Sequence, residues 1–431
     1  MWNLSVSLIL AIAIGLQGPQ SVLLVEISFN SEISQNVGLS FGEPMDNCDG
    51  PNDQNAVRLN QMGLTYVRED FVKSADVRFI TLEDNQISDF SVDALRSVPN
   101  LSCLNIRKNR IEKNILLGLS HGNLAKLNLA GNSIRFSSET PWDVSLPRLT
   151  HLDLSDNNMG ILPSPIFFQF SFPSLTHFYL SGFSFRDILA YIPPSTKNLY
   201  LQRCILSFYE RTLPPHISAL FVDESSISLN LESLNLKTLS IRNCKQKEVL
   251  YHLNTPNILD LDISSNDLRS LHTTMFADWK YLQRLSIENN TLSSFDALNQ
   301  LRSLTDLSLN YNTITNITNQ SIGDLRNLRR LHLRGNRISL IEENAFSNLY
   351  FLEKLDLSEN QLTTLHSTWI LSLKALSHLN LRSNLFTTID DMFINVYINS
   401  MKHLYLGKNN FTRIEISSIE KMHKDLIIHV L

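Results

Sequence analysis

The sequence predicts an α/β solenoid of horseshoe form, with a parallel β-sheet on the concave face and mixed short helix, 3-10 and extended segments on the convex face. Three observations lead to this fold class. An eleven-residue pattern, L-x-x-L-x-L-x-x-N-x-L, occurs fifteen times between Val77 and Asn409. Its L-x-L core alternates with the period of a β-strand. Successive copies lie mostly 22 to 25 residues apart, which is the length of one solenoid coil.

Each copy is predicted to contribute one short strand to the sheet. In the copy at residues 352–362, Leu355 and Leu357 point to the interior, and Asp356 between them points to solvent. One coil cannot bury its apolar face alone, whereas coils stacked on both sides can. We therefore interpret the chain as one long leucine-rich repeat domain, although 431 residues would ordinarily suggest two or three domains.

The ninth position of the pattern predicts a ladder of buried hydrogen bonds. An Asn side chain both donates and accepts, so at a turn it satisfies main-chain groups of its own and the neighbouring coil. Asn fills this position at Asn85, Asn109, Asn132, Asn157, Asn266, Asn290, Asn312, Asn336, Asn360, Asn384 and Asn409. The other four copies carry Phe183, Cys204, Ser225 and Cys244. Cys is a common replacement, so we interpret Cys204 and Cys244 as buried ladder residues, with functional thiols as the alternative.

Coil length shortens in the middle of the chain. The ladder positions 183, 204, 225 and 244 are separated by 21, 21 and 19 residues. Two of these coils contain Pro-Pro pairs, at 193–194 and 214–215, just before the strand. Proline there favours an extended, polyproline-like return over a helix. By contrast, residues 342–349 are compatible with a helical turn, so the convex side is predicted to be thinner in the middle.

The two ends of the sequence differ from the repeats. Residues 1–20 resemble a signal peptide, with an apolar run at 4–16 that is too short to span a bilayer comfortably. A membrane anchor is the alternative interpretation. Residues 21–56 are interpreted as an N-terminal cap, 57–424 as about 15 to 16 repeats, and 425–431 as a truncated final repeat. The expected product is secreted and extracellular, without a membrane span.

An extracellular location also agrees with five N-glycosylation sequons that follow the predicted signal peptide. They begin at Asn100, Asn289, Asn316, Asn319 and Asn410. Asn316 and Asn319 fall just past a strand and are the best candidates, whereas Asn289 and Asn410 adjoin ladder residues.

The four cysteines leave the disulfide pattern open. Besides Cys204 and Cys244, Cys48 lies in the cap and Cys103 lies beside a strand, on the outward side. Three alternatives remain: Cys48 and Cys103 pair, one of them forms an intermolecular bridge, or no disulfide forms.

The last strand predicts an open edge. Residues 424–431 resemble the start of one more coil, which would expose strand groups and core side chains. This edge is a candidate surface for a homo- or hetero-oligomer.

The candidate ligand-binding site lies in the column between the two leucines of L-x-L. Three consecutive strands carry an aromatic residue there, Tyr179, Tyr200 and Phe221, in the zone of short coils. We expect these rings to be exposed, and exposed contiguous aromatic side chains on a concave sheet are typical of a binding hot spot. The alternative is that a loop or neighbouring coils cover them, or that they simply suit a β-strand. The full predicted set is Tyr179, Tyr200, Phe221, His177, Arg203 and Glu224.

Histidines recur one column earlier, in the pairs His151–His177 and His378–His403. Each pair is a candidate for metal binding or for titration near neutral pH. No third ligand lies in obvious register, so we favour solvated histidines and predict no metal site and no cofactor.

Composition argues against nucleic acid. A basic group occurs at Arg326, Arg329, Arg330, Arg334 and Arg337. Nearby acidic residues are expected to neutralise much of it, at Asp306, Glu353, Asp356 and Glu359. The net charge is −5, so a nucleic-acid partner is not predicted. The chain also lacks H-E-x-x-H, C-x-x-C and a phosphate-binding glycine loop, so we predict that it is not an enzyme.

The repeats resemble extracellular leucine-rich repeat proteins, especially Toll-type receptor ectodomains and insect secreted leucine-rich repeat immune proteins. Residues 344–360 carry phrases typical of that group, and residues 193–201 resemble the shorter repeats of small matrix proteoglycans. The resemblance implies a secreted ligand- or protein-binding module in innate immune or other extracellular recognition. Its partner would be an extracellular protein or a microbial surface ligand on the concave face. The alternative is a structural matrix or adhesion protein, and a hydrolase is a third, more remote reading.

Overall fold

The computed structural model describes residues 8–11, 24–27, 45, 48, 55–135, 144–158, 171–182, 184–185, 192–208, 213–229, 233–244, 253, 255–276, 278–392, 394, 400–412, 418, 422 and 426–430. Most of the predicted signal peptide (1–20) and cap (21–56), and the ladder position Phe183, lie outside these residues. Two compact units divide the chain. We call residues 41–255 the amino-terminal unit, and residues 256–431 together with 1–40 the carboxyl-terminal unit.

A parallel sheet runs through the amino-terminal unit, with one strand from each coil. Its strands β3, β5, β7, β8, β9, β10, β12, β14 and β16 pair in that order, residue for residue. Strands β4 and β6 form a small second sheet, and β11, β13 and β15 form a third. The strands that precede this unit are β1 (Leu8–Ala11) and β2 (Leu24–Ile27), and those within it are β3 (Ala56–Arg58), β4 (Tyr66–Val67), β5 (Phe79–Thr81), β6 (Asp89–Phe90), β7 (Cys103–Asn105), β8 (Lys126–Asn128), β9 (His151–Asp153), β10 (His177–Ser181), β11 (Ser184–Phe185), β12 (Asn198–Gln202), β13 (Ile205–Phe208), β14 (Ala219–Asp223), β15 (Ser226–Leu229) and β16 (Thr238–Arg242), with a 3-10 helix at Val92–Leu95.

The carboxyl-terminal unit repeats this arrangement. Strands β17, β18, β19, β21, β23, β24, β25 and β26 form its parallel sheet, β20 pairs with β22, and β1 pairs with β2 antiparallel. The elements are β17 (Asp260–Asp262), β18 (Arg284–Ser286), β19 (Asp306–Ser308), β20 (Asn316–Ile317), α1 (Asn319–Ile322), β21 (Arg330–His332), β22 (Leu340–Ile341), β23 (Lys354–Asp356), β24 (His378–Asn380), β25 (His403–Tyr405) and β26 (Ile427–His429), with 3-10 helices at Thr273–Phe276, Asp296–Gln300 and Asp390–Met392. Strand β26 extends the sheet by one strand at the predicted final repeat, and β2 lies in contact with it.

The leucines of the pattern form the core, as predicted. Leu352, Leu355 and Leu357 are each at most 2% exposed, and Leu355 lies in register between leucines of both neighbouring strands. Full burial of one such side chain contributes roughly 1.5 to 3 kcal/mol. The residues between the leucines occupy the opposite face of each sheet, the one that the sequence predicts to be concave. We call it the outer face.

The predicted Asn ladder is present in both units. Asn360 is typical: its Nδ2 donates to Leu333 O of the preceding coil at 2.9 Å and to Leu357 O of its own coil at 3.0 Å. Its Oδ1 accepts the backbone N–H of Ile338 at 3.0 Å. One side chain thus satisfies three buried main-chain groups that the coil geometry leaves without backbone partners.

The cysteine substitutes are buried free thiols, as interpreted from the pattern. Cys204 Sγ donates to Gln202 O at 3.3 Å, and Cys244 Sγ donates to Arg242 O at 3.1 Å. Burial raises the pKa of Cys244 to about 11, so its thiol is protonated and is a poor nucleophile near neutral pH. At Cys244, this argues against the alternative that the cysteine is a functional thiol.

The two coils that contain the Pro-Pro pairs include the extended strands β11 and β13, which pair with each other. The prolines themselves differ from the expectation, because Pro193 O and Pro214 O accept hydrogen bonds that close tight turns, from Thr196 N–H and Ile217 N–H, each at 3.0 Å. Residues 342–349 form successive turns with the same i to i+3 bonding.

In the described part of the chain, no helix is long and apolar enough to cross a bilayer.

Candidate binding site on the outer face of the amino-terminal unit

Three aromatic rings stack on the outer face of the amino-terminal sheet. Residue-for-residue pairing of β10, β12 and β14 places Tyr179, Tyr200 and Phe221 side by side. The ring centroids of Tyr179 and Tyr200 lie 4.1 Å apart, and those of Tyr200 and Phe221 lie 4.5 Å apart. The rings are nearly parallel, because adjacent strands have about the same spacing as stacked rings. We call these three residues the aromatic stack.

The aromatic stack is less exposed than the sequence suggested. Tyr179 is only 8% exposed, while Tyr200 and Phe221 are half-buried. Central side chains of the sheet are flanked by a column of side chains on either side, and this shields them. Met45, from the predicted cap, also borders the stack and is itself buried. The expectation of three exposed rings is therefore wrong for Tyr179, and the alternative of partial cover applies.

A cavity of about 360 Å³ opens beside the aromatic stack. All three rings line it, and Met45 forms part of its wall. Its charged lining residues in the described part of the chain are Asp153, Asp156, Asp223 and Arg242. The site thus combines aromatic and thioether surface with carboxylates.

Asp153 occupies the same column as the aromatic stack, next to Tyr179. Its Oδ1 accepts the backbone N–H of Ser155 at 2.9 Å. Burial raises the pKa of this carboxyl, and the charge of Asp156 acts in the same direction, although hydrogen bonding from Ser155 opposes both. Burial disfavours the ionised form because it removes solvating water.

Arg203 and Glu224 stand at the rim and are exposed. Arg203 forms an ion pair with Asp156, whose backbone N–H donates to Ser181 Oγ at 2.7 Å. Gln202 Nε2 donates to Glu224 Oε2 at 3.5 Å, which is a weak contact. The structure therefore brings Arg203 close to the cavity through Asp156, whereas Glu224 remains peripheral.

His177 belongs to the neighbouring column. Its ring stacks on His151 at 4.0 Å and lies 6.4 Å from the ring of Tyr200. Its Nε2 is 2.9 Å from Asn198 Nδ2, and burial, with the charge of Lys126, lowers its pKa. A neutral, stacked histidine accords with a packing role beside the aromatic stack.

A disulfide ties the cap to this sheet. Cys48 and Cys103 are bonded, with their Cα atoms 5.6 Å apart, which is the intramolecular alternative among the three. Cys103 lies in the column that continues through Lys126 and His151. Because Met45 precedes Cys48 by three residues, the bond restricts how far Met45 can move from the cavity.

A third histidine joins the second pair, which the sequence pattern missed. The ring centroids of His378 and His403 lie 4.8 Å apart, and His429 Nε2 is 3.3 Å from His403 Nδ1. His429 lies beyond the last full copy of the pattern, so its register was not visible in the sequence. Among the described residues, no group of three His, Cys, Asp or Glu side chains is arranged to hold a metal ion.

The basic group in the carboxyl-terminal unit is neutralised as expected. Arg330 pairs with Asp306, Arg329 with Glu353, and Arg334 with Glu359.

The five sequon asparagines, Asn100, Asn289, Asn316, Asn319 and Asn410, are all exposed. Asn100 differs in that its Nδ2 donates to Ala75 O at 2.9 Å.

Comparison with known proteins agrees with the repeat pattern. A family model described as "Leucine rich repeat" matches residues 256–314, 296–338, 326–386 and 351–411, and a second leucine-rich repeat model matches residues 148–169. No curated protein matches the chain significantly in sequence.

Solved structures share the fold at low identity. A leucine-rich repeat protein of Leptospira interrogans has a TM-score of 0.54 and 23% identity, over 86% of this chain and 89% of that one. Drosophila Toll, in its complex with Spatzle, has a TM-score of 0.59 and 19% identity, over 82% of this chain and 49% of that one. Mouse RP105, in its complex with MD-1, has a TM-score of 0.56 and 18% identity, over 85% of this chain and 73% of that one. Together with the matched repeats and the Asn ladder, these likenesses show that the chain has the leucine-rich repeat fold, which it shares with Toll and RP105.

Proposed function

We propose that this protein is a secreted recognition module that binds an extracellular protein at the aromatic stack. The observation that carries the proposal is the cavity lined by Tyr179, Tyr200 and Phe221 on a sheet face whose other central residues are polar or charged, such as Asn128 and Ser240. Partly exposed aromatic anchors beside a cavity are the usual centre of a protein-binding surface.

The size of the cavity indicates how a partner would engage. About 360 Å³ is at the small end of the range for ligand sites, so it accepts one long side chain in preference to a folded segment. Specific protein interfaces bury roughly 800 Å² on each partner. The remaining contact area would come from the surrounding outer face, with Arg203, Glu224 and His177 near the edge.

The solved relatives support a protein ligand over a small molecule. Toll is in complex with Spatzle, and RP105 is in complex with MD-1. Their likeness to this chain is one of fold, so it favours the class of partner and leaves the contact residues to be tested. A microbial surface ligand in innate immunity, and a structural role in matrix or adhesion, are the outcomes to be distinguished by experiment.

Paired capture from native extracellular fluid tests the proposal. The baits are the wild-type protein, Tyr200→Ala with Phe221→Ala, and Tyr405→Ala as a matched control. Tyr405 is a half-buried tyrosine at the equivalent column position of the carboxyl-terminal unit. Tyr179 is left intact because its burial makes truncation destabilising.

The expected result is a discrete protein captured by the wild type and by Tyr405→Ala and lost from the double variant. Circular dichroism must first show that all baits are equally folded. Equal capture by all three baits would overturn the assignment of the site, and broad capture of matrix components would favour the structural role.

A further inference from the structure

Several carboxylates on the outer faces of the two units pair with a cation from another coil of the same unit. The Nε of Arg284 pairs with Asp260, and the Nε of Arg330 pairs with Asp306. Asp156, at the cavity, pairs with Arg203. In each case the opposite charge offsets the cost of partial desolvation.

Asp153 departs from this arrangement. Its column neighbours are Asn128 and Tyr179, neither of which carries a positive charge. Among the described residues, its hydrogen-bond donor is Ser155, and no cation lies within ion-pair distance of its carboxylate. Arg107, whose charge acts only weakly on it, is bonded to Glu83 at 2.7 Å.

The cavity is placed so that a ligand can supply the missing charge. Asp153 lines it together with Tyr179 and Tyr200, and Met45 completes the apolar wall. The described lining holds three carboxylates, Asp153, Asp156 and Asp223, and one guanidinium, Arg242. Because Arg203 at the rim already pairs with Asp156, the excess negative charge is centred on Asp153 and Asp223. A negative lining around aromatic surface is complementary to a group that is cationic at its tip and apolar along its stem.

We infer that the cavity receives the side chain of a lysine or arginine from the protein partner, with its cationic end at Asp153 and its methylene stem along the aromatic stack and Met45. This inference rests on the proposed function, because it names the chemistry of the partner at the same site. A basic side chain is expected to bind more tightly here than at an exposed carboxylate. Asp153 is already partly desolvated, so less water has to be removed from it when the cation binds.

Small probes test the inference separately from any natural partner. The probes are Nα-acetyl-lysine methylamide and its arginine equivalent, the glutamine and methionine equivalents as neutral side chains of similar length, and methyl β-glucoside as a sugar. Binding to the whole chain is followed by saturation-transfer NMR and by titration. The variants are Asp153→Asn and, as a matched control, Asp356→Asn, which alters a half-buried carboxylate in the same column position of the other unit.

The lysine and arginine probes are expected to bind about tenfold or more tightly than the neutral probes, a difference of roughly 1.4 kcal/mol or more. Asp153→Asn should remove this preference, and Asp356→Asn should leave it unchanged. The preference should also weaken as added salt screens the charge. Equal binding of glutamine, methionine or glucoside, a cation preference that survives in Asp153→Asn, or no saturable binding of any probe would each overturn the inference.

Failure of this inference can be separated from failure of the proposed function. If capture of a partner depends on Tyr200 and Phe221 while Asp153→Asn captures it equally well, the recognition site stands and the basic anchor is wrong. If capture is indifferent to the aromatic residues, the proposed function itself fails.

Discussion

Single asparagines set the stability of each coil at the residue scale. Asn360→Ala would leave Leu333 O, Leu357 O and the Ile338 N–H buried without partners. Each such group costs about 1 to 3 kcal/mol if it stays without a partner, and water that enters the space left by the amide replaces some of these bonds. We therefore expect a loss of roughly 2 to 5 kcal/mol in the free energy of unfolding. Urea titration followed by circular dichroism measures it. Asn380→Ala is the control, because Asn380 is half-buried on the outer face and accepts one bond, from Arg382 N–H. Equal losses in the two variants would contradict a ladder role.

Asp153 illustrates a residue held at a cost to stability. Because its pKa is raised in the folded state, the folded protein binds the proton more tightly than the unfolded chain, whose carboxyl has the ordinary value of 3.8. The ionised carboxylate therefore destabilises the fold above its folded pKa, and this cost disappears below the unfolded pKa. Asp153→Asn is expected to melt a few degrees higher than the wild type at neutral pH. The gain should vanish toward about pH 3.8.

Thermal melts of Asp153→Asn across that pH range provide the measurement, with Asp356→Asn as the contrast. Asp356 Oδ1 accepts the backbone N–H and the hydroxyl of Ser358, at 2.9 and 2.6 Å, and the Oδ1 of an asparagine can accept both bonds, so Asp356→Asn should not raise the melting temperature. A destabilised Asp153→Asn protein would mean that the carboxylate is structural.

The order of residues in the column could be predicted from the sequence, which places Asp153 beside Tyr179. Its burial, and the absence of a nearby cation, depend on side-chain packing that no pattern specifies.

At the element scale, the last coils of the carboxyl-terminal unit are sensitive to acid. Burial lowers the pKa of His378 below 6.5, and charges on His403, Lys354, Lys402 and His429 act in the same direction. The depressed folded pKa means that the unfolded chain takes up the proton first. Stability is therefore fully present above pH 6.5 and is lost as the pH falls from that value toward the folded pKa.

Hydrogen exchange of the β24 and β25 amides tests this sensitivity. After correction for intrinsic rates, exchange is expected to be constant above pH 6.5 and to accelerate as the pH falls below that value. His378→Asn should reduce the acceleration. The β18 and β19 amides serve as an internal reference, since their outer faces carry Arg284 and Asp306 in the column that His378 occupies. Uniform acceleration along the whole unit would contradict the local origin.

Elements were predicted from the sequence to different depths. The L-x-L core predicted the strands of both parallel sheets, because leucine burial and strand alternation fix the same register. The returning strands β11 and β13 were expected only as extended chain, since proline restricts φ but does not select a partner. The turns at Pro193 and Pro214 depend on hydrogen bonds from Thr196 and Ile217, which lie outside the repeat pattern.

At the scale of the whole molecule, the repeat pattern predicted the solenoid because each coil needs only its neighbours. The cap followed no such rule. Its contact with the sheet joins Cys48 to a residue 55 positions away, and sequence spacing left that pairing open. The place of Met45 in the wall of the cavity depends on the same part of the chain, so it was equally hidden from the sequence.

The Cys48–Cys103 bond is the covalent link between cap and sheet, and its removal should affect the amino-terminal unit alone. In the stacked-coil description, the stability of one coil depends on the coils it touches. Replacing both residues with Ser frees the loop between them, which is expected to cost about 2 to 5 kcal/mol. Chemical denaturation measures the total loss, and hydrogen exchange locates it. Exchange should accelerate in β5, β7 and β8 and remain unchanged in β18 through β23. An unchanged midpoint, with free thiols at Cys48 and Cys103 in the wild-type protein, would show instead that the cap is held by packing alone.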